Sequence, residues 1–195
     1  MSSTVQITIP PDIPDEELVA LLQNKATAEQ AFAFLVQQQS PRLYSAIRRI
    51  VYRHDDADDI LQETFIKVWR NISTFRGNSK LSTWIYSIAT NEALSHLRKE
   101  KRQRKLPLET DEYDLAAMLK SEPYFNGDEL VIEFMNAIDK LPEKQKLTFE
   151  LRYFEELPYN EISEITGTSV GALKANYHHA TKKLHKYLGV DESLD

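Results

Sequence analysis

Leu61, Phe65, Val68 and Ile72 recur at offsets of 0, 4, 7 and 11, the spacing of an apolar stripe along an α-helix. Stripes of this period govern most of the chain, and only five glycines among 195 residues interrupt them. The short alternation TVQITI at 4–9 stops at Pro10 and Pro11 and reads as a loose tail. The fold this predicts is all-α.

Helical patterning begins at Pro14 with Leu18, Leu21 and Leu22, then Ala31, Phe32 and Leu35. Ser40 before Pro41 is a helix-start signal, followed by Leu43, Ile47, Ile50 and Val51. The clearest helix runs from Asp56 to Ile72, TFRGNSK at 74–80 forms a loop, and a long helix spans Ser82 to Arg104. Residues 106–127 hold Pro107, Pro123 and Gly127 without a sustained stripe, which predicts a flexible acidic linker with one short helix at Leu115–Lys120. Beyond it come Val131, Phe134, Ile138 and Leu141, then Leu147, Leu151 and Phe154 after Pro142. The expected organisation is a tail (1–13), a helical domain (14–105), the linker (106–127) and a second small helical domain (128–190).

Composition narrows the function. Without cysteine there is no disulfide, zinc-thiolate site or thiol nucleophile. No signal peptide opens the chain and no apolar run reaches the roughly 18 residues of a membrane span, so a cytoplasmic location without membrane insertion is expected. No Ser/His/Asp set, Gly-rich phosphate loop or paired metal-ligand motif is present, so no enzyme activity, cofactor or metal is expected. The formal charge of −6 opposes indiscriminate nucleic-acid binding, but the charges are segregated. RKEKRQRK (98–105) carries six bases and one acid, and 107–135 carries eight acids and one lysine. Residues 169–188 hold four lysines, three histidines and no acid.

HDDADDILQETF (54–65) concentrates five carboxylates. Asp55, Asp56 and Asp59 spell DDxxD, which in isoprenoid synthases holds magnesium against a diphosphate. That chemistry needs a second carboxylate motif and a deep apolar cavity, and this chain shows neither. A protein-contact surface and a solvated helix start favoured by the helix dipole remain.

LPYNEISEITGTSVGALKANYHHATKKLHKYL (157–188) has helix-turn-helix form. Ile162 and Ile165 mark a short helix, Gly167 turns, Ser169 caps a second helix, and Leu173 packs it on the first. Lys174, Asn176, His178, His179, Lys182 and Lys183 then face outward, as a surface approaching phosphates requires. An ordinary helical hairpin with a basic solvated face has the same pattern.

In LSTWIYSIATNEALSHLRKEKRQRK, Leu81, Trp84, Ile85, Ile88 and Ala89 form an apolar face that gives way to Asn91, Glu92, Ser95 and His96 and then to the basic run. Phe75, Trp84 and Tyr86 lie among Arg76, Lys80 and the loop amides. Aromatic rings interleaved with cations hold unstacked single-stranded bases, although rings in an apolar stripe also build cores.

Together these segments resemble a known family. Residues 56–99 are similar to region two of the extracytoplasmic-function sigma factors of bacterial RNA polymerase, and 141–184 to their region four, with only a linker between. The resemblance implies a helix docked on a coiled coil of core RNA polymerase, with Asp59, Gln62, Glu63 and Ile66 facing it, opposite Leu61, Phe65 and Val68. It implies that Phe75, Arg76, Lys80, Trp84, Asn91, His96 and Arg98 meet the minus-ten promoter DNA, including a flipped base of the melted non-template strand. Ser169, Lys174, Asn176, His178, His179, Lys182 and Lys183 would meet the minus-thirty-five duplex. It also implies promoter recognition, promoter melting, transcription initiation and control by an anti-sigma factor. Asn176 and His179 stand where many relatives have arginine, the commonest reader of guanine, so the promoter preference does not carry over.

Overall fold

The computed structural model describes residues 7–103 and 129–189. The expected linker at 106–127 and its short helix at Leu115–Lys120 lie outside the described residues. The chain divides into two compact units, 1–98 and 99–195. Secondary structure among the described residues is helical, as the stripe spacing predicts.

In the first unit α1 spans Asp15–Gln23, α2 Ala28–Val51 and α3 His54–Asn71. A 3₁₀ turn at Ile72–Thr74 follows, and α4 begins at Leu81 and runs to Gln103. Val68, Phe65 and Ile72 are buried with Leu35, Leu43, Ile47 and Ile85, so the opening stripe is the inner face of α3. Leu61 is only half-buried. The stretch 7–13 is tied to α2: Ile7 N–H donates to Gln30 at 2.9 Å, and Gln38 donates to the Pro11 carbonyl at 3.1 Å.

Pro41 does not start a helix. It lies inside α2, a single helix of 24 residues. Proline removes one backbone donor from the ladder. Leu35 before the break and Leu43 and Ile47 after it are all at most 1% exposed, and their common burial holds one helix across it. Ser40 and Ser45 hydroxyls donate to the Val36 and Pro41 carbonyls, bonding locally on both sides of the proline. Tyr52 ends α2 in the left-handed region at φ 64, which turns the chain into α3.

The second unit contains α5 (Glu129–Asp139), α6 (Glu143–Tyr153), α7 (Tyr159–Thr166) and α8 (Val170–Tyr187). Its core gathers Ala137, Ile138, Leu141, Phe149, Ala180 and Leu184, with Phe134, Phe154 and Tyr177 packed against them. The expected α5 stripe holds at Phe134, Ile138 and Leu141 but not at its first member, where Ile132 is buried and Val131 is 41% exposed. Lys146 donates to Asp139 at 2.7 Å, joining α6 to the end of α5. Burial lowers the Lys146 pKa against the opposing pull of Glu150, and burial raises that of Asp139.

Gly167 closes α7 at φ 66, where a side chain would be strained although nothing lies within 4 Å of a Cβ placed there. Gly167→Ala is therefore expected to destabilise this unit by about 1 kcal/mol through backbone conformation alone. Chemical denaturation monitored by circular dichroism checks the value.

Candidate functional site

Three exposed faces collect most of the residues singled out in the sequence. The first is on α3. Phe32 and Val36 of α2 face Leu61, Phe65, Ile66 and Trp69 of α3 across a groove of about 800 Å³. Its rings interlock: Phe32 lies 4.8 Å from Trp69 and meets Phe65 edge-on at 6.2 Å. Ile66 at 36% and Trp69 at 42% exposure leave an apolar strip open to solvent. Gln62 and Ile66 line this groove, and Asp59 and Glu63 continue the same surface one helical step away. This corrects the expected arrangement in part: Leu61 and Phe65 line the groove beside Gln62 and Ile66, while Asp59 and Glu63 lie opposite Leu61 on α3, as expected. Trp69 was missed because it stands off the stripe that predicted the core, and Phe32, read as part of the α2 core stripe, is only half-buried.

Glu63 is not a free carboxylate. Lys67 approaches it at 3.9 Å and bonds Glu92 of α4 more closely, at 2.6 Å. Asp59 is exposed, which makes it the cleaner negative charge on this face.

The second face surrounds the loop between the 3₁₀ turn and α4. Phe75 and Trp84 are both half-buried, their rings tilted by 41° with centroids 5.1 Å apart. They form a small aromatic platform, neither sealed in the core nor fully open. Arg76 and Lys80 are exposed beside it, and Asn91 and Arg98 are exposed farther along α4. Tyr86 does not join this group; it is 3% exposed and packs in the core with Ile85 and Ala89. His96 is half-buried, and its Nε2 lies 3.5 Å from Asp56 of α3, which also meets Arg53 at 3.6 Å. The His96 Nε2 and Asp56 Oδ2 atoms are both shielded from solvent, and neither makes a hydrogen bond among the described residues, so the contact is a close approach of α4 to α3.

Sequence reasoning also missed the contacts that hold this loop. Asp15 accepts the Leu81 N–H at 2.7 Å, and Gln23 donates to the carbonyls of Ile72 and Phe75 at 2.9 and 3.1 Å. No local spacing signals bonds that span 49 to 66 residues.

The third face is on α8. Ser169 caps it, accepting from Ala172 N–H at 3.4 Å. Leu173, Ala180 and Leu184 bury its inner side, with Leu173 at 1% exposure locking it to α7. At 100° per residue the crest opposite Leu173 carries Ala175, His178, His179 and Lys182, and all four are exposed. Lys174 is exposed on one flank, while Asn176 and Lys183 are half-buried on the other. Lys174 and Asn176 thus point to different sides, and Ala175, unremarked in the sequence, occupies the crest.

Arg152 of α6 braces this face. It donates to the Leu157 carbonyl at 3.0 Å and lies 5.3 Å over the Tyr159 ring, with Lys174 at 6.0 Å from the same ring. Tyr159 also meets Tyr177 at 6.3 Å, edge-on. Burial, then the neighbouring Tyr159, raises the Tyr177 pKa against the pull of Arg152, so Tyr177 brings no negative charge near the basic helix at physiological pH.

Known families match these two units in order. Residues 35–103 match the family Sigma-70 region 2, and residues 132–184 match Sigma-70, region 4. The chain is 33% identical over 174 residues to the ECF RNA polymerase sigma factor SigW of Bacillus subtilis (strain 168), covering 85% of this chain and 93% of that one. It is 31% identical over 180 residues to the ECF RNA polymerase sigma-E factor of Haemophilus influenzae, covering 88% and 94%. In fold it resembles the sigma factor RpoE from Bartonella quintana, solved in complex with the anti-sigma factor NepR, at TM-score 0.67 and 24% identity over 83% of this chain and 98% of that one. No described helix is long and apolar enough to cross a membrane. With both regions present in sequence and order, and relatives matched along nearly their whole length, the chain belongs to the extracytoplasmic-function (ECF) RNA polymerase sigma factors.

Proposed function

We propose that this chain binds core RNA polymerase in the bacterial cytoplasm, selects promoters and opens them for transcription initiation, under the control of an anti-sigma protein. The chain performs no bond chemistry; its work is binding and strand separation. The observation that carries the assignment of residues is that α3, the α4 loop and α8 each keep an exposed face that their own unit does not pack. Asp59, Gln62, Glu63 and Ile66, beside the α2–α3 groove, meet polymerase. Phe75, Arg76, Lys80, Trp84, Asn91, His96 and Arg98 meet the minus-ten element. The α8 crest, with Lys174 and Lys182, enters the major groove at the minus-thirty-five element.

The test is run-off transcription on genomic DNA with core polymerase and the purified chain, followed by mapping of start sites. Discrete starts that need the chain and share two upstream elements are the expected result. Duplex binding by the chain alone, with no effect on polymerase, would instead identify a free-standing regulator.

Lys182 and Lys183 lie late on α8, where side chains meet phosphates more than base edges. Lys182→Ala with Lys183→Ala is expected to weaken holoenzyme binding about equally on all promoters. The slope of log affinity against log salt should flatten by about 2, near one unit for each lost phosphate contact. A titration at four salt concentrations measures it.

A further inference from the structure

The loop at 75–80 has its ends fixed by a helix far away in sequence. Asp15, in the first turn of α1, accepts the N–H of Leu81, the first residue of α4, at 2.7 Å. Gln23, the last residue of α1, spends both amide hydrogens on the loop entry, donating to Ile72 O at 2.9 Å and Phe75 O at 3.1 Å. Eight residues separate them, about 12 Å of helix. Leu18 and Leu22 between them are 3% and 2% exposed, which fixes α1 on the body of the unit.

The bonds answer definite needs. A helix start leaves backbone N–H groups without partners, and Lys80, just ahead of α4, has no side-chain acceptor. Asp15 acts as the missing cap from another helix, and its negative charge suits the positive end of the α4 dipole. At the other end, the carbonyls of Ile72 and Phe75 leave the 3₁₀ turn where α-helical bonding has stopped. Gln23 gathers both, which sets the direction in which Phe75 leaves the turn toward Trp84, 5.1 Å away.

We infer that Asp15 and Gln23 are positioning residues for strand opening: α1 is a two-point brace that holds the Phe75–Trp84 platform in the geometry that receives an unstacked base. Neither residue touches DNA in this scheme. The inference rests on the proposed role of the loop in melting. It assigns α1 a part in melting, separate from polymerase binding on α3 and duplex binding on α8.

The experiment uses the full chain with core polymerase on one mapped promoter, in duplex form and with the minus-ten segment pre-opened by mismatches. Permanganate reactivity of unpaired thymines reads opening. Gln23→Glu keeps the shape of the side chain but cannot donate to either carbonyl. It is expected to lower opening of the duplex roughly five- to tenfold, on the scale of one or two lost hydrogen bonds. The pre-opened template should recover most of the loss, with core affinity unchanged and the melting temperature lowered by only several degrees. Asp15→Ala should reproduce the defect, and Asp15→Asn, which still presents an acceptor to Leu81, should restore most of the opening. Phe75→Ala serves as the reference for the platform itself. If Phe75→Ala impairs opening while Gln23→Glu and Asp15→Ala open like the parent chain, the brace is refuted and the loop assignment survives. Equal losses on both templates would overturn the brace as well, because they indicate general damage to the fold. If Phe75→Ala opens normally, the loop assignment fails and takes the brace with it.

Discussion

Asp59→Lys combined with Glu63→Lys is expected to lower affinity for core RNA polymerase roughly 10- to 100-fold, the lower end of what close interfacial charge pairs contribute. In the proposed complex, carboxylates on α3 would supply attraction and register against a basic partner surface. The two positions differ in what else they do. Glu63 is drawn toward Lys67, which is itself bonded to Glu92 at 2.6 Å. Reversing Glu63 therefore also places a second cation beside Lys67, at a cost of a few tenths of a kcal/mol for exposed pairs. Asp59→Lys alone is the decisive arm. Its loss should shrink at high salt, since screening removes interactions between exposed charges.

The groove beside these acids should behave differently. Trp69→Ala removes a ring that is 42% exposed and packs 4.8 Å from Phe32. Buried aromatic anchors commonly carry 2 kcal/mol or more of an interface, so dissociation should quicken with little dependence on salt. Competition against a labelled sigma factor for limiting core, at low and high salt, separates the two behaviours. Unchanged competition by Asp59→Lys with Glu63→Lys would remove α3 from the polymerase interface.

Elements with a strong local period were legible in the sequence. The α3 stripe, the α7–Gly167–α8 turn, the Ser169 cap and the buried Leu173 all follow from short-range spacing, and the structure shows each of them. Pro41 misled because tertiary burial on both sides of it outweighs a local breaker signal. The α5 stripe started at the wrong residue because Val131 and Ile132 are adjacent and apolar, and period alone does not choose between them. Trp69 and Tyr86 show the same limit from opposite directions. An aromatic ring reads alike in sequence whether it is 42% or 3% exposed. The approach of His96 Nε2 to Asp56, forty positions earlier, was likewise beyond any local spacing. The α1 contacts were invisible for the same reason: Asp15 and Gln23 meet groups that only the folded chain brings close.

The other large effect should fall on strand opening. Phe75→Ala removes one of the two rings of the platform, and base–aromatic stacking contributes roughly 1–3 kcal/mol per base. The open complex on duplex DNA should therefore fall about 5- to 100-fold. Asn91→Ala should act in the same direction by a smaller amount, since an exposed amide on α4 offers hydrogen bonds to a base or sugar without a stacking surface. Neither change touches α8, whose cap, buried Leu173 and exposed crest belong to the other unit. Upstream binding should therefore persist in both variants, with an unaltered salt slope. A template already open over the minus-ten segment needs no unpairing energy, so it should restore part of the lost transcription to both. Lys182→Ala should show the converse pattern: weaker binding on duplex and pre-opened templates alike, relieved by lowering the salt. Transcription from the two templates at several salt concentrations reads all three variants in one matrix. If Asn91→Ala and Lys182→Ala lose activity equally on both templates and with the same salt dependence, the α4 loop and α8 do not divide opening from upstream binding.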